Sequence, residues 1–334
     1  MKKRFFSALL MLFVGLSMVS AQRLNVIFET DMGNDVDDAL AIDMLYKYHR
    51  SKKINLMAVM LNKEGEYPPR FIDLLNRWYG CKRIPIGVTS RRENSTMSHV
   101  KNFTEVVSNM KDEKGRPLYK QLPEGYNDWK DAVMLHREIL AKAEDNSVTI
   151  ISVGFSNNLA ALLSSPADGF SPLSGKELVE KKVDRLVVMA GHMEDPKYRE
   201  FNVVNDIPSC QKVYNEWPTP IYTSPFELGL HILYPARSIR EDCAWTKHHP
   251  IVDAYKCYLP NMEDRPTWDL TAVLYAIDPG QMFNLSPAGR IEVKDGGETI
   301  FTPDASGSHY YIYTTAEQKK QILDYFVNMI TKKP

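Results

Sequence analysis

Short apolar runs alternate with helix-like segments along most of the chain, and this order restricts the possible folds more than any other feature. Such alternation is typical of a mostly parallel β-sheet, because the crossover between two parallel strands is usually a helix. The sequence therefore predicts an α/β fold, with a mostly parallel open sheet and helices on both faces. The predicted strands are 25–28, 54–61, 84–88, 147–153, 185–189 and 220–223, and the predicted helices are 39–48, 68–79, 131–143, 158–163 and 207–214.

Two further regions complete this prediction. Residues 90–129 are polar and interrupt the alternation, which is typical of a long insertion or lid rather than of a domain boundary. Residues 290–313 are predicted to form β-hairpins with an Asp-Gly-Gly turn at 295–297, followed by a closing helix at 316–330. We therefore predict a single domain over residues 22–334.

The first 21 residues are predicted to be a secretory signal peptide. The basic start Lys2-Lys3-Arg4 precedes an apolar run that reaches Val19, and Ser20-Ala21 supplies the small residues of a cleavage site. The apolar run is short for a membrane span, and no Cys follows it that could carry a lipid anchor. We expect cleavage after Ala21 and a periplasmic or secreted protein.

The balance of charges argues against two classes of partner. The chain has 41 Lys and Arg residues against 42 Asp and Glu residues, a net charge of -1. Removal of the three basic residues of the leader leaves 38 against 42, or -4. Proteins that bind nucleic acid or anionic membranes usually carry a cationic surface. We therefore expect neither of those partners, and leave a homo-oligomer open.

Five carboxylates fall within residues 29–38, between a buried strand and an apolar helix. Capping of the helix accounts for one or two of them, but the mutual repulsion of the rest needs a stronger compensation. A hard cation such as Ca²⁺ takes six to eight oxygen ligands, and Gly33 would let the loop turn tightly around it. The aspartates of this loop are Asp31, Asp35, Asp37 and Asp38.

An EF-hand loop and a phosphatase motif both fit the acidic segment less well. An EF-hand loop needs a Gly at its sixth position and a Glu at its twelfth, and neither is present. Phosphatases with an Asp-x-Asp nucleophile need an Asp where this chain has Glu29. Further polar groups follow other predicted strands, at Asn62, at Asn157 and at residues 191–194. In parallel sheets ligands bind at the carboxyl ends of strands, so these groups are expected to share one rim.

These segments resemble, in the same order, the signatures of the inosine-uridine nucleoside hydrolase family. The resemblance extends from about Asn25 to the C-terminus. Residues 28–41 resemble the family's Asp-x-Asp-Pro-Gly-x-Asp-Asp segment, 59–62 the strand that ends in a ribose-contacting Asn, 153–160 the Gly-Pro-Leu-Thr-Asn-Leu-Ala turn, 189–191 with 200–202 the Met-Gly-Gly and Glu-Phe-Asn pair, and 268–273 the late His-Asp-Pro-x-Ala-Val segment.

The resemblance implies a calcium-dependent hydrolase of N-glycosidic bonds in nucleosides or related ribosides. It makes Asp31 the base that takes a proton from the attacking water. The implied metal ligands are Asp31, Asp38, Asp269 and the main-chain carbonyl of Asn157, with Asp35 as a further candidate. The implied ribose contacts are Asp37 and Asn62 at the 2′ and 3′ hydroxyls, and Glu200 with Asn202 at the 3′ and 5′ side.

The chain also departs from the family pattern, mainly in the half of the site that recognises the leaving group. The signature is two residues longer at 34–36, the usual lid motif is absent, and Trp268 stands where the family has His. We expect Trp268 to be either a core aromatic or a stacking partner, and His192 to be the best candidate for a replacement acid. The alternatives are a calcium-stabilised sugar-binding protein that has lost catalysis, and a hydrolase of another glycoside.

Overall fold

The computed structural model describes residues 23–82, 84–90, 103–123 and 125–334. The predicted leader, and residues 91–102 of the predicted insertion, lie outside these ranges. The strands are β1 (Leu24–Thr30), β2 (Ile54–Leu61), β3 (Ile86–Val88), β4 (Lys130–Asp131), β5 (Val148–Ser152), β6 (Val183–Met189), β7 (Ile221–Ser224), β8 (Leu233–Tyr234), β9 (Arg265–Pro266), β10 (Asn284–Leu285), β11 (Gly289–Val293), β12 (Thr299–Pro303) and β13 (His309–Tyr313). The helices are α1 (Asp37–Arg50), α2 (Tyr67–Trp78), α3 (Phe103–Ser108), α4 (Ala132–Lys142), α5 (Asn157–Ser164), α6 (Gly175–Lys182), α7 (Phe201–Val204), α8 (Ile207–Glu216), α9 (Phe226–Leu230), α10 (Ala236–Glu241), α11 (Pro250–Tyr258), α12 (Trp268–Ile277) and α13 (Ala316–Thr331).

The main sheet is mostly parallel, as predicted. Its strands follow the order β12-β11-β13-β7-β6-β5-β1-β2-β3-β4, with β10 paired to β13, while β8 and β9 form a separate pair. All neighbours from β13 and β7 across to β4 are parallel. The chain extends from β1 to β4 on one side and resumes at β5 on the other. The sheet therefore has a topological switch point between β1 and β5, where ligands bind in open α/β folds.

Alternating side chains of β1 supply the cores on the two faces of the sheet. Val26 and Phe28 pack with residues of α1 and α12, whereas Ile27 packs with residues of α4, α5 and α8. All three side chains are fully buried, because the central strand is covered by helices on both faces. The predicted helices on both faces of the sheet are confirmed.

Helix α1 is fixed in the core by a buried ion pair. Lys47 Nζ donates to Asp43 Oδ2 at 2.7 Å and to the carbonyls of Met329 and Ile330 at 2.9 and 2.6 Å. The Tyr79 hydroxyl donates to the other oxygen of Asp43. Burial raises the pKa of the Asp43 carboxyl, while Lys47 lowers it. One buried ammonium thus joins α1 to the end of the C-terminal helix.

The two regions outside the alternating core are residues 290–313 and the insertion at 90–129, and they compare differently with their predictions. Strands β11 and β12 form the predicted antiparallel hairpin, and Gly297 turns at a φ of 89°. The described part of the insertion is not a detached loop, because Phe103 of α3 is fully buried and packs edge-on against Phe71 at 5.6 Å. Across the described ranges, no helix has both the length and the apolar character that crossing a bilayer requires.

Candidate active site

A cavity of about 280 Å³ lies at the carboxyl ends of β1, β5 and β6, next to the topological switch point. This is the rim that the sequence predicted, and its lining combines acidic, aromatic and amide side chains. The lining residues are Asp31, Asn34, Asp35, Asp37, Asp38, Val153, Met189, Glu200, Phe201, Asn202, Phe226, Tyr258, Arg265, Trp268 and Asp269.

The acidic loop between β1 and α1 is held in a tight turn. Gly33 has a φ of 108°, a conformation that L residues with side chains rarely adopt. The backbone N–H of Asn34 donates to the main-chain carbonyl of Asp31 at 3.2 Å. The Thr30 hydroxyl donates to Asp38 Oδ1. Asp31 and Asp38 are only 4% and 1% exposed. Local backbone geometry thus buries two carboxylates side by side at the end of β1.

A third and a fourth acid meet where two helices begin. The N-cap residue of α1 is Val36, so Asp37 and Asp38 do not serve as its cap. Asp269 lies in the first turn of α12, and its backbone N–H donates to Asp37 Oδ2 at 3.1 Å. Because α1 and α12 pack together, an acid from a distant part of the sequence joins the loop.

The acids are poorly compensated by the protein alone. Burial raises the pKa of the Asp31, Asp37, Asp38 and Asp269 carboxyls, and neighbouring negative charge raises the last three further. Among the described residues, Asp38 Oδ2 is buried without a hydrogen-bond partner. A buried polar atom without a partner is costly, and oxygen donors of this kind suit a hard cation. The residues present therefore fit a calcium ion by their chemistry.

The carboxylates do not yet converge on one point. In residues 23–82, 84–90, 103–123 and 125–334, no three His, Cys, Asp or Glu side chains form a preformed metal centre. Two of the carboxylate oxygens have local partners, since Asp31 Oδ2 accepts from Asn34 at 2.7 Å and Asp37 Oδ2 accepts from the backbone of Asp269 at 3.1 Å. A cation bound through either of these oxygens would compete with that hydrogen bond.

A lysine that sequence reasoning missed lies beside the acids. Lys63 Nζ donates to Asn34 Oδ1, so that the Asn34 amide nitrogen is directed at Asp31. Burial lowers the pKa of Lys63, whereas the charges of Asp31 and Asp38 raise it. The signal in the sequence was its position, directly after Asn62 at the end of β2. Lys63 thus places a positive charge within the electrostatic reach of the predicted metal site.

Glu200 and Asn202 line the cavity, and their hydrogen bonds connect the backbone segments that border it. Glu200 caps α7 by accepting from the Asn202 and Val203 backbones at 2.8 and 3.2 Å, and from Gly191 at 3.1 Å. Burial raises the pKa of Glu200 to about 7. The Asn202 amide nitrogen donates to the Val153 and Met189 carbonyls at 3.0 and 3.2 Å, which ties β5 to β6. Their predicted ribose contacts stay predictions.

Asn62 lies behind the cavity rather than in its lining. Its amide nitrogen donates to Glu29, which also accepts from Asn158 at 2.9 Å and pairs with the buried ring of His136. A Cβ on Gly154 would lie 2.4 Å from Asn62 Oδ1, so this glycine allows the side chain to approach the acidic loop. The fully buried Glu29 thus orients the amide whose predicted role is a ribose contact.

Asn157 is close to this group but also outside the lining. Its amide nitrogen donates to the Asn62 carbonyl at 2.8 Å, and its side-chain oxygen accepts from the Asn158 backbone at 2.8 Å. The side chain therefore stabilises the turn that begins α5. The contribution predicted for Asn157 uses its main-chain carbonyl, and that contribution stays a prediction.

The opposite wall of the cavity is aromatic and carries an arginine. The rings of Trp268 and Phe226 stack with centroids 5.2 Å apart. Asp35 is paired with Arg265, whose Nε lies 2.9 Å from Asp35 Oδ1 and whose Nη2 contacts Oδ2. The guanidinium lies 5.2 Å from the ring centroid of Tyr258 and 5.1 Å from that of Trp268. Asp35 therefore pairs with Arg265 in this structure, and its candidate role as a metal ligand stays a prediction.

His192 does not reach the cavity lining. Its Nδ1 accepts from the Asp195 backbone at 2.9 Å and lies 3.3 Å from a Glu227 oxygen. Its ring packs on Tyr198 and Phe226, with centroids 4.8 and 6.0 Å away. Phe226, which does line the cavity, lies against this ring, and the predicted role of His192 as the acid for the leaving group stays a prediction. Among the described residues, no histidine lines the cavity.

Comparisons with known proteins agree with this architecture. A model of the family described as inosine-uridine preferring nucleoside hydrolase matches residues 26–324. No curated protein sequence matches the chain. A plant nucleoside hydrolase superposes with a TM-score of 0.72 at 15% identity, covering 93% of this chain and 100% of that chain. A purine-preferring ribonucleoside hydrolase from Gardnerella vaginalis gives 0.68 at 16% identity, covering 92% and 98%. An inosine-uridine preferring nucleoside hydrolase from Bacillus anthracis gives 0.62 at 16% identity, covering 92% and 99%. At these identities the structural likeness shows the shared fold.

Proposed function

Because the chain belongs to the inosine-uridine preferring nucleoside hydrolase family and is an N-glycosidase of that class, we propose that it hydrolyses nucleosides or related ribosides with the help of a bound Ca²⁺. The observation that carries the proposal is the buried, unpartnered Asp38 Oδ2 among three further buried acids. Asp38, Asp31 and Asp269 would hold the ion, with the main-chain carbonyl of Asn157 as a further oxygen.

When bound, such a cation supplies Lewis-acid activation of water and neutralises the crowded carboxylates. Asp31 receives the proton that the attacking water loses. Asp37, Glu200 and Asn202 surround the ribose, and their negative and dipolar groups stabilise the oxocarbenium character that develops at C1′. Asn62, which Glu29 orients beside the acidic loop, would contact the ribose on the same side of the site as Asp37.

The leaving group is expected to decide the rate. Trp268 stands where the family has a His, and no histidine of the described residues lines the cavity. A positioned general acid is typically worth roughly 10²–10⁴-fold in rate. We expect p-nitrophenyl riboside, which needs little protonation, to be cleaved at least about 10²-fold faster than inosine. Reducing-sugar release across aryl ribosides and nucleosides, with calcium and with a chelator, measures this.

Three results of that screen would count against the proposal. If the folded, calcium-loaded protein hydrolyses no riboside, the substrate class is wrong. Turnover that survives complete chelation would exclude the cation, and equal rates on both substrate types would mean that an acid is present elsewhere. Tight binding of ribosides without turnover would favour the alternative, a calcium-stabilised sugar-binding protein.

We also propose that the chain is exported to the periplasm or secreted. The support is the basic start, the apolar run and the small residues that end at Ala21. N-terminal sequencing of protein recovered outside the cytoplasm is expected to begin at Gln22. Recovery of protein that still begins at Met1 would contradict the proposal.

A further inference from the structure

Arg265 lines the cavity next to Trp268, on the side that would face the leaving group under the proposed function. The site has an acidic side, built from the β1 loop and Asp269, and an aromatic side that contains Trp268 and Phe226. The proposed function places water and ribose on the acidic side, so the leaving group is left facing the aromatic side. The Arg265 guanidinium lies over Trp268 at 5.1 Å, and the charge of Asp269 raises the pKa of Arg265. Arg265 therefore belongs to the aromatic side and lies within electrostatic reach of the acidic side.

The guanidinium is held in a defined orientation. Asp35 engages Nε and Nη2, and the Tyr258 hydroxyl lies 3.4 Å from Nη2. Among the residues that the structure describes, none accepts a hydrogen bond from Nη1. A bidentate pair with a carboxylate fixes the plane of an arginine, so the direction of the remaining donor is fixed as well. Asp35 comes from the lengthened signature loop, so the extra residues at 34–36 supply the partner that positions Arg265.

Arg265 remains a cation under working conditions. Burial lowers its pKa to about 10, while the charge of Asp269 acts in the opposite direction. At neutral pH the group is therefore a charged hydrogen-bond donor and not a proton donor. A charged donor aimed at the position where negative charge develops stabilises that charge.

We propose that Arg265, positioned by Asp35, contacts the leaving group through Nη1 and stabilises its developing negative charge. This inference rests on the proposed hydrolase function. The bond from C1′ to the leaving atom breaks and its electron pair stays with the leaving group, while the water oxygen forms a new bond to C1′. One water proton goes to Asp31, and the released anion takes its proton from solvent. The substrates favoured are those whose leaving group carries an acceptor atom and tolerates negative charge, such as uracil or an aryl oxide.

The test is a series of substituted phenyl ribosides with graded leaving-group pKa, measured on the parent and on Arg265→Met and Arg265→Lys. In Arg265→Met we expect kcat/KM to fall by less than about tenfold for the p-nitrophenyl compound and by roughly 10²-fold for the poorest leaving group. The dependence of rate on leaving-group pKa therefore becomes steeper. Arg265→Lys, which keeps the charge, and Asp35→Asn, which loosens the orientation, are expected to lie between parent and Arg265→Met.

A second measurement does not depend on turnover. Calorimetric titration with p-nitrophenolate is expected to show weaker binding to Arg265→Met than to the parent. Arg237→Met is the matched control, because this exposed arginine of α10 pairs with Glu241 outside the cavity and should change neither measurement. A loss that is uniform across the series, or no loss, would overturn the role of Arg265 while leaving the hydrolase proposal intact. Absence of riboside hydrolysis in the parent would instead refute the proposed function.

Discussion

Replacement of Asp38 by Asn is expected to lower kcat/KM for riboside hydrolysis by about 10³-fold or more. The substitution keeps the size of the side chain and an oxygen for the Thr30 hydroxyl, but it removes the charge from a buried group whose second oxygen has no partner among the described residues. Loss of a metal ligand is worth about 4 kcal/mol of transition-state stabilisation, which corresponds to that factor.

The thermal behaviour of Asp38→Asn separates a metal role from a structural one. A ligand that binds only the native state stabilises it, so calcium should raise the melting temperature of the parent and not that of the variant. In chelator, the variant is expected to melt at the same temperature as the parent or higher, because the other buried acids lose a like-charged neighbour. A variant that is destabilised in chelator, and still stabilised by calcium, would contradict the assignment.

Two companion variants sharpen this result. Lys63→Met is expected to tighten calcium binding by about tenfold, because it removes a positive charge near Asp31 and Asp38. Asp145→Asn is the matched control, since this exposed carboxylate pairs with Lys182 outside the cavity lining. It should change neither activity, measured as the rate of riboside hydrolysis, nor calcium affinity, measured by titration calorimetry.

Lys47→Met is expected to destabilise the protein by roughly 3–5 kcal/mol, the usual cost of breaking a buried ion pair. The substitution leaves Asp43 fully buried without its charge partner and the Met329 and Ile330 carbonyls without their donor. We expect the docking of α13 on α1 to be lost first. Urea denaturation followed by circular dichroism, at constant calcium, measures the change in unfolding free energy.

The control for this prediction has the same spacing on another helix. Lys142 pairs with Glu138 four residues earlier, as Lys47 does with Asp43, but the Lys142 side chain is 72% exposed. Solvent screens such a pair, so Lys142→Met should leave the denaturation midpoint almost unchanged. The double variant Asp43→Asn/Lys47→Met should be less destabilised than the sum of its single changes. Equal effects of Lys47→Met and Lys142→Met would show that burial does not matter here.

The elements that the sequence predicted well are those whose signal is local. Strand β2 has the predicted limits, and α1, α2, α4, α5, α8 and α13 match within a few residues, because apolar periodicity, β-branched runs and helix ends are properties of neighbouring residues. Helices α6 and α11 are among those that were not predicted. The first is short and polar, with five of its eight residues Lys or Glu, and the second lies in a region where no strand was predicted.

The acidic half of the site was predictable for the same reason. Asp31, Asp37 and Asp38 lie in one loop, and their crowding is visible without any fold. Asp269 was identified only through a resemblance, since nothing local links it to that loop. The contact depends on the packing of α1 against α12, which joins residues from opposite ends of the chain.

The half of the site that faces the leaving group was decided by tertiary structure. His192 was expected at the rim because it follows a strand end, but the ring turns away to Tyr198 and the backbone of Asp195. Arg265 had no motif to mark it, and nothing local in the sequence indicates that it pairs with Asp35. The sequence shows which residues follow each strand, because the limits of strands and the positions of loops along the chain depend on neighbouring residues. Which side chains then meet depends on the orientation of loops that are far apart in sequence, and only their packing fixes that orientation.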